Sequence, residues 1–182
     1  MANIYTDRLK MRRFKLSDLN DFYEYAKNPN VGPSAGWEFH KSKNDSILQL
    51  TTFIKSKDVW AIELIEESKV IGSVGLHQDQ KRENPKSRMI GYVLNQDYWG
   101  NGYATEVVKK LIEYSFDSLE LDVLSVYHYS FNQRSKRVIN KCGFQYEGRL
   151  RAASMKATGE TYEDMCYSIL KEEYKQLKLE RD

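Results

Sequence analysis

The apolar positions of this chain change period repeatedly, and each change marks the border of an element. Ile90, Tyr92 and Leu94 alternate with smaller or polar residues at period two, whereas Ala104, Val107, Val108, Leu111 and Ile112 recur at helical spacing. The change falls across Trp99, Gly100, Asn101 and Gly102, so the stretch predicts a strand, a glycine turn and an amphipathic helix. Upstream, residues 8–14 read as a strand, and Ser17 ahead of Asn20, Asp21 and Phe22 opens a helix that carries to about Lys27. Pro29, Gly32, Pro33 and Gly36 make residues 28–39 a loop, after which Ile47, Leu48, Leu50 and Phe53 give residues 43–54 helical spacing. Trp60, Ile62 and Leu64 alternate as a strand, residues 66–69 turn, and residues 70–76 return as its hairpin partner. Residues 80–86 are charged and predict a mobile loop. A strand over 123–129, a helix over 132–141, and strands over 144–150 and 162–170 follow. Residues 171–182 remain as a charged tail, either a solvated helix or a frayed end. The elements predict a mixed α+β fold in one domain spanning residues 1–182.

Glycines at a strand-to-helix junction let backbone approach a ligand closely, and the first amides of the helix point at an arriving anion. Three ligand classes use such turns. A nucleotide-hydrolysing loop needs Gly-Lys-Ser/Thr, whereas Gly102, Tyr103 and Ala104 supply neither the lysine nor a magnesium-binding hydroxyl. A dinucleotide fingerprint finds its first two glycines in Gly100 and Gly102 and acids in Glu120 and Asp122, but its third glycine is Thr105. Asp122 also opens the next apolar run rather than closing it, so this class remains a weak rival. The third class is coenzyme A.

Global properties narrow the field further. The 182 residues carry 28 Lys and Arg against 26 acids, a net charge of +2 with the basic residues scattered, which makes no case for nucleic acid. No apolar run reaches the roughly 18 residues of a membrane span, and MANIYTDRLK lacks a signal core, so the expectation is a cytoplasmic protein without membrane contact. Cys142 and Cys166 lie among apolar neighbours and are expected to be reduced core thiols; His40, His77 and His128 have no zinc spacing, and no metal is expected.

The run YWGNGYATE, from Tyr98 to Glu106, resembles the coenzyme A turn of the GNAT acetyltransferases, with Trp99, Gly102 and Ala104 in its first, fourth and sixth places. The Trp in the first place is similar to the branch of ribosomal-protein N-acetyltransferases of the RimJ and RimL type. TDRLKMRRFKLSDLNDFYEYAKNPNV, IGSVGLH and SFNQRSKRVINKCGFQYEGRLR resemble the same branch, so the likeness covers residues 6–170. It implies a central, mostly antiparallel twisted sheet of about seven strands, with the fourth and fifth splayed apart, and about four helices.

The resemblance also implies a mechanism. Acetyl-CoA would be the cosubstrate, its pantetheine arm bound by main-chain groups near Leu94 and Asn95. Its pyrophosphate would lie on the amides of Gly100, Asn101, Gly102, Tyr103, Ala104 and Thr105, and an amide of the fourth strand would face the thioester oxygen. Asn132 would cap its helix and touch the pantetheine, and Ser135 would be the acid near the departing sulfur, since the family's tyrosine seven residues after the Asn is Ile139 here. Two places where relatives carry an acid hold Met89 and Ser154, which leaves Glu147, Asp164, His77, His128 or a water chain to accept the amine proton. Trp37, Phe39 and His40 and the stretch 152–161 are candidate lids or core anchors, while Glu38, Glu160, Glu163 and Asp164 form either an amine-attracting set or a solvated face. Cys142 lies at the far end of its helix, so direct attack by an amine in a ternary complex is expected. The acceptor would be a protein N-terminus or a small-molecule amine, and the enzyme a monomer or homodimer. The alternative is a non-catalytic acyl-CoA sensor or scaffold of the same fold.

Overall fold

In a computed structural model the described residues are 2–155 and 159–180. They form two compact units, one built from Met1–Leu76 and Tyr92–Lys110, the other from His77–Gly91 and Leu111–Asp182.

The first unit begins with β1 (Ile4–Tyr5) and β2 (Leu9–Arg12), followed by α1 (Leu19–Ala26), α2 (Lys43–Lys55), β3 (Val59–Leu64) and β4 (Lys69–His77). The four strands pair antiparallel in chain order, with Met11 opposite Ile62 and Ile62 opposite Gly72. The chain returns through the end of β5 (Ser87–Leu94) and the start of α3 (Tyr103–Glu113). Phe14, Phe22, Tyr25, Leu50, Val59, Ala61 and Val70 form the core, with Trp37, Phe53 and Trp99 packed against it. Two details depart from the sequence reading. Ser17 does not open α1: a 3-10 turn at Leu16–Asp18 precedes it, and Asp18 stands at the cap position with its carboxylate turned back to Arg12, 2.8 and 2.9 Å away. Burial and Glu63 explain the preference, because the buried Arg12 guanidinium needs both carboxylates as partners. In β3 the first four residues are all buried, so the expected one-sided alternation gives way to a strand covered on both faces.

The second unit takes the start of β5, then β6 (Val123–Tyr129), α4 (Gln133–Lys141), β7 (Gln145–Met155), β8 (Thr161–Leu170) and α5 (Lys171–Leu179). Its strand order is β5-β6-β8-β7. β6 pairs antiparallel with β8 from Val123↔Leu170 to Tyr129↔Asp164, and β7 pairs antiparallel with β8 on the other side. β5 and β6 are parallel, and their pairing covers Ser87↔Val123, Arg88↔Leu124 and Met89↔Ser125 before it stops, although both strands continue. That early end of the ladder is the parting expected of the family's fourth and fifth strands, which are β5 and β6 once the short β1 is counted. The tail folds as α5: Tyr174 is buried, stacks on Phe116 at 4.9 Å and donates to Asp117 at 2.8 Å.

Among the described residues there are thus eight strands and five α-helices, against about seven and four expected, and the additions are β1 and α5. Both escaped the periodicity for a physical reason. A two-residue strand shows no period, and α5 buries one residue, Tyr174, among charges. No helix among the described residues is long and apolar enough to cross a membrane.

Candidate functional site

The glycine turn is built in the first unit by backbone conformation. Gly100 and Gly102 have φ of +85° and +82°, where an L side chain is strained, although a Cβ at Gly100 would meet nothing within 4 Å. Conformation, then, is the reason for glycine there. The first helical hydrogen bond of α3 runs from the Glu106 amide to the Gly102 carbonyl (3.0 Å). The amides of Gly100, Asn101, Gly102, Tyr103 and Ala104 donate to no partner among the described residues. Five free donors stand at a helix mouth, three of them on exposed residues, an arrangement of the kind that suits an anion.

Beneath the turn lies a clamp that sequence reading missed. Glu106 accepts from Thr6 Oγ1 (2.6 Å), the Arg8 amide (3.1 Å) and Arg8 Nε (2.7 Å), while Arg8 Nη1 donates to the Asn101 carbonyl (3.2 Å). The guanidinium also stacks over Tyr103, 4.4 Å from its ring centre. Although burial opposes it, the bonds from Thr6 and Arg8 hold the Glu106 carboxyl below its ordinary pKa. The only trace in the sequence is that the Glu closes the YWGNGYATE run, and its partners stand 98 residues and more away.

The main-chain groups of Leu94 and Asn95, near which the pantetheine arm is expected, have partners within the first unit. The Leu94 carbonyl accepts from the Trp99 indole (2.9 Å), and the Asn95 amide donates to the Ile71 carbonyl (2.8 Å). The Asn95 carbonyl accepts from Tyr98, and its side chain caps Asp97 and donates to Glu24 (2.9 Å). Asn95 is buried and fully engaged, so it holds the strand end and the turn in place.

In the second unit, Asn132 caps α4, its Oδ1 accepting from the Ser135 amide at 3.1 Å. Both residues are half-buried, and Ile139 is fully buried, a core position. The two carboxylates expected as base candidates lie in a polar network on β7 and β8. Glu147 accepts from Arg82 and from Ser168 (2.8 Å), and Asp164 accepts from Lys81 (3.0 Å) and from Ser154 (2.8 Å). Ser154, which occupies one of the vacated acid places, thus bonds to the carboxylate on the neighbouring strand. A third carboxylate, Asp79, went unnoticed just before the charged loop. Its buried oxygens take Ser125 Oγ (2.5 Å) and the Tyr127 hydroxyl (2.9 Å), and Arg82 pairs with it at 3.2 Å. Burial, aided by Asp79 as acceptor, pushes the Tyr127 hydroxyl pKa well up. The loop is therefore tied down by three ion pairs.

His128 is buried, with Nδ1 against the Tyr129 carbonyl at 2.8 Å and Nε2 without a partner. Since that carbonyl can only accept, Nδ1 carries the proton and the Nε2 lone pair is open. Burial lowers the His128 pKa and keeps the ring neutral. Of the candidate lids, Trp37 and His40 are anchors in the first unit: their rings meet at 5.3 Å, and His40 bonds Ser46 Oγ at 2.8 Å. In the second, residues 156–158 of the stretch 152–161 lie outside the described residues. Glu163 pairs with Arg149 at 3.4 Å, and Glu38 and Glu160 are exposed. Cys142 and Cys166 are buried and form no disulfide.

Comparison with known proteins speaks to the family and the fold. The family model described as acetyltransferase (GNAT) domain matches residues 8–145. The uncharacterized N-acetyltransferase YoaA of Bacillus subtilis (strain 168) is 32% identical over 171 residues, covering 91% of this chain and 95% of its own length. Among solved structures, a GNAT-family acetyltransferase from Bacillus anthracis superposes with a TM-score of 0.86 at 24% identity, over 94% of this chain and 99% of that one. A spermidine N-acetyltransferase from Vibrio cholerae, in complex with CoA and spermine, gives a TM-score of 0.76 at 20% identity over 93% and 99%. At those identities the two structures speak for the fold.

Proposed function

The chain belongs to the GNAT family of N-acetyltransferases, and on that footing we propose that it moves an acetyl group from acetyl-CoA to a primary amine by direct attack in a ternary complex. The observation that carries this reading is the row of five free amides at the mouth of α3, which fits a diphosphate in donor type, direction and helix polarity. Acetyl-CoA supplies a thioester whose acyl carbon accepts a neutral amine. The residues assigned to hold it are the amides from Gly100 to Thr105, with main-chain groups near Leu94 and Asn95 and the Asn132 side chain on the pantetheine. Ser135 is assigned to meet the departing sulfur. A thiol of ordinary pKa about 8.5 leaves readily near neutral pH, so the serine has little proton transfer to supply.

The amine arrives protonated and must lose a proton before it attacks. Glu147 and Asp164 are the carboxylates proposed for that task, and each would first exchange a lone pair now given to Arg82 or Lys81. His128 has an open lone pair but an enclosed one. Loss of the acidic limb of the pH–rate profile in one of Glu147→Gln, Asp164→Asn, His77→Gln or His128→Gln names the base; an unchanged limb in all four assigns the proton to water.

The nine-residue run from Tyr98 to Glu106 supports the RimJ and RimL branch, hence a protein N-terminal α-amine as acceptor, with small amines such as polyamines as the second class. Incubation of the protein with acetyl-CoA and a panel of N-terminal peptides and polyamines, read as thiol release, tests both. Release with at least one acceptor is expected. CoA binding by calorimetry with no release for any amine would instead favour the acyl-CoA sensor.

A further inference from the structure

The clamp under the turn raises an electrostatic question. A carboxylate in the first turn of a helix occupies the same positive pole that an incoming anion needs. Glu106 sits there, four residues after Gly102, with its side chain only 19% exposed. Left charged and unpaired, it would repel a diphosphate docked on the neighbouring amides. Its presence is explained mechanically, since it ties α3 to the β1–β2 connection through Thr6 Oγ1 and the Arg8 amide. The Arg8 side chain then meets the same carboxylate at 2.7 Å through Nε and 2.6 Å through Nη2, a two-point contact that cancels its charge.

The same guanidinium also aims the donors. A trans peptide sets its carbonyl and the following N–H on opposite sides, and the described residues contain no cis bond. With the Asn101 carbonyl held by Arg8 Nη1 at 3.2 Å, the Gly102 N–H points away from Arg8. A Cβ at Gly102 would lie 3.6 Å from Arg8 Nη2, so the arginine fills one side of the turn and leaves the donors on the other.

We propose that Arg8 is a positioning residue for the cosubstrate: it neutralises Glu106 at the mouth of α3 and fixes the Asn101 peptide so that the amides present an uncompensated positive pole to a diphosphate. This rests on the assignment of that mouth to CoA made above. The test is CoA affinity by titration calorimetry together with Tm, for the wild type and for Arg8→Ala, Arg8→Lys, Glu106→Gln and the double variant Arg8→Ala/Glu106→Gln. Arg8→Ala weakens CoA by about tenfold or more, the scale of a lost charge-assisted contact, and KM for acetyl-CoA rises while kcat holds. Arg8→Lys falls between, keeping the charge without the fork. Glu106→Gln lowers Tm yet binds CoA as tightly as the wild type or more so. The double variant recovers most of the affinity lost in Arg8→Ala while staying no more stable than either single change. A merely mechanical brace makes the opposite forecast: Glu106→Gln weakens CoA in step with Tm, and the double variant binds worst. That pattern overturns the proposal. A wild type that binds no CoA overturns the assignment of the mouth as well, and the wild-type titration alone reveals it.

Discussion

The turn at residues 100–104 and the polar face around Asp79 both gather many hydrogen-bonding groups, and they use them in opposite ways. At the turn the donors are backbone amides left unpaired, because the start of any helix has no acceptors to give them. Around Asp79 the acceptors are side chains, and they are occupied: Asp79 by Ser125, Tyr127 and Arg82, Asp164 by Lys81 and Ser154, Glu147 by Arg82 and Ser168. Water can satisfy an exposed amide until a ligand replaces it, whereas a buried carboxylate without a partner would cost the fold several kcal/mol. Capacity to bind therefore resides where folding leaves donors over, and a fully paired cluster contributes chiefly to stability.

Substitutions can break this contrast in graded steps. The largest effect is expected at Asp79→Ala, which takes from Arg82 one of its two carboxylate partners, from Ser125 the shorter of its two hydrogen bonds and from Tyr127 its acceptor, and should destabilise by about 3–5 kcal/mol in chemical denaturation. A change under about 1 kcal/mol would mean that the network is not structural. Gly102→Val comes next: a β-branched residue at φ +82° is strained by about 1–2 kcal/mol or more, and CoA affinity should fall at least about tenfold. Asn101→Ala is its control and should leave affinity within about twofold, since the backbone and not the side chain is the ligand; a large loss there would contradict a main-chain site. Ser135→Ala should lower kcat by about tenfold, short of the roughly 10²–10⁴ of a full general acid. Full turnover at saturating substrate would remove Ser135 from the mechanism.

The smallest effect concerns pH. Burial lowers the pKa of His40 and His128 below 6.5, so the unfolded chain binds protons that the folded chain refuses. Stability from these groups is complete above pH 6.5 and declines as pH falls through that value toward their folded pKa values. His128→Gln should show a shallower acid decline between about pH 6.5 and 5 than the wild type in denaturant melts. An unchanged slope would mean that His128 titrates normally.

Much of this was legible from residue order. The strand, turn and helix across residues 90–112 stood out because periods of two and 3.6 are imposed by backbone geometry over a few residues. The strand Val123–Tyr129 and the cap at Asn132 were readable for the same reason. Other features were not. The helix start moved from Ser17 to Asp18 because Arg12, six residues earlier, competes for the carboxylate. Asn95, adjacent to the expected pantetheine strand, turned out to be consumed by Ile71, Tyr98, Asp97 and Glu24.

Local chemistry alone settled which amides are left over: two glycines at positive φ followed by a helix leave their amides unpaired wherever the rest of the chain goes. Which charges surround those amides was decided by the fold. Arg8 and Glu106 are 98 residues apart, and nothing in either neighbourhood specifies the other until β2 and α3 are packed. Hydrogen bonds act over about 3 Å, so a partner is selected by proximity in space, and only the assembled chain creates that proximity.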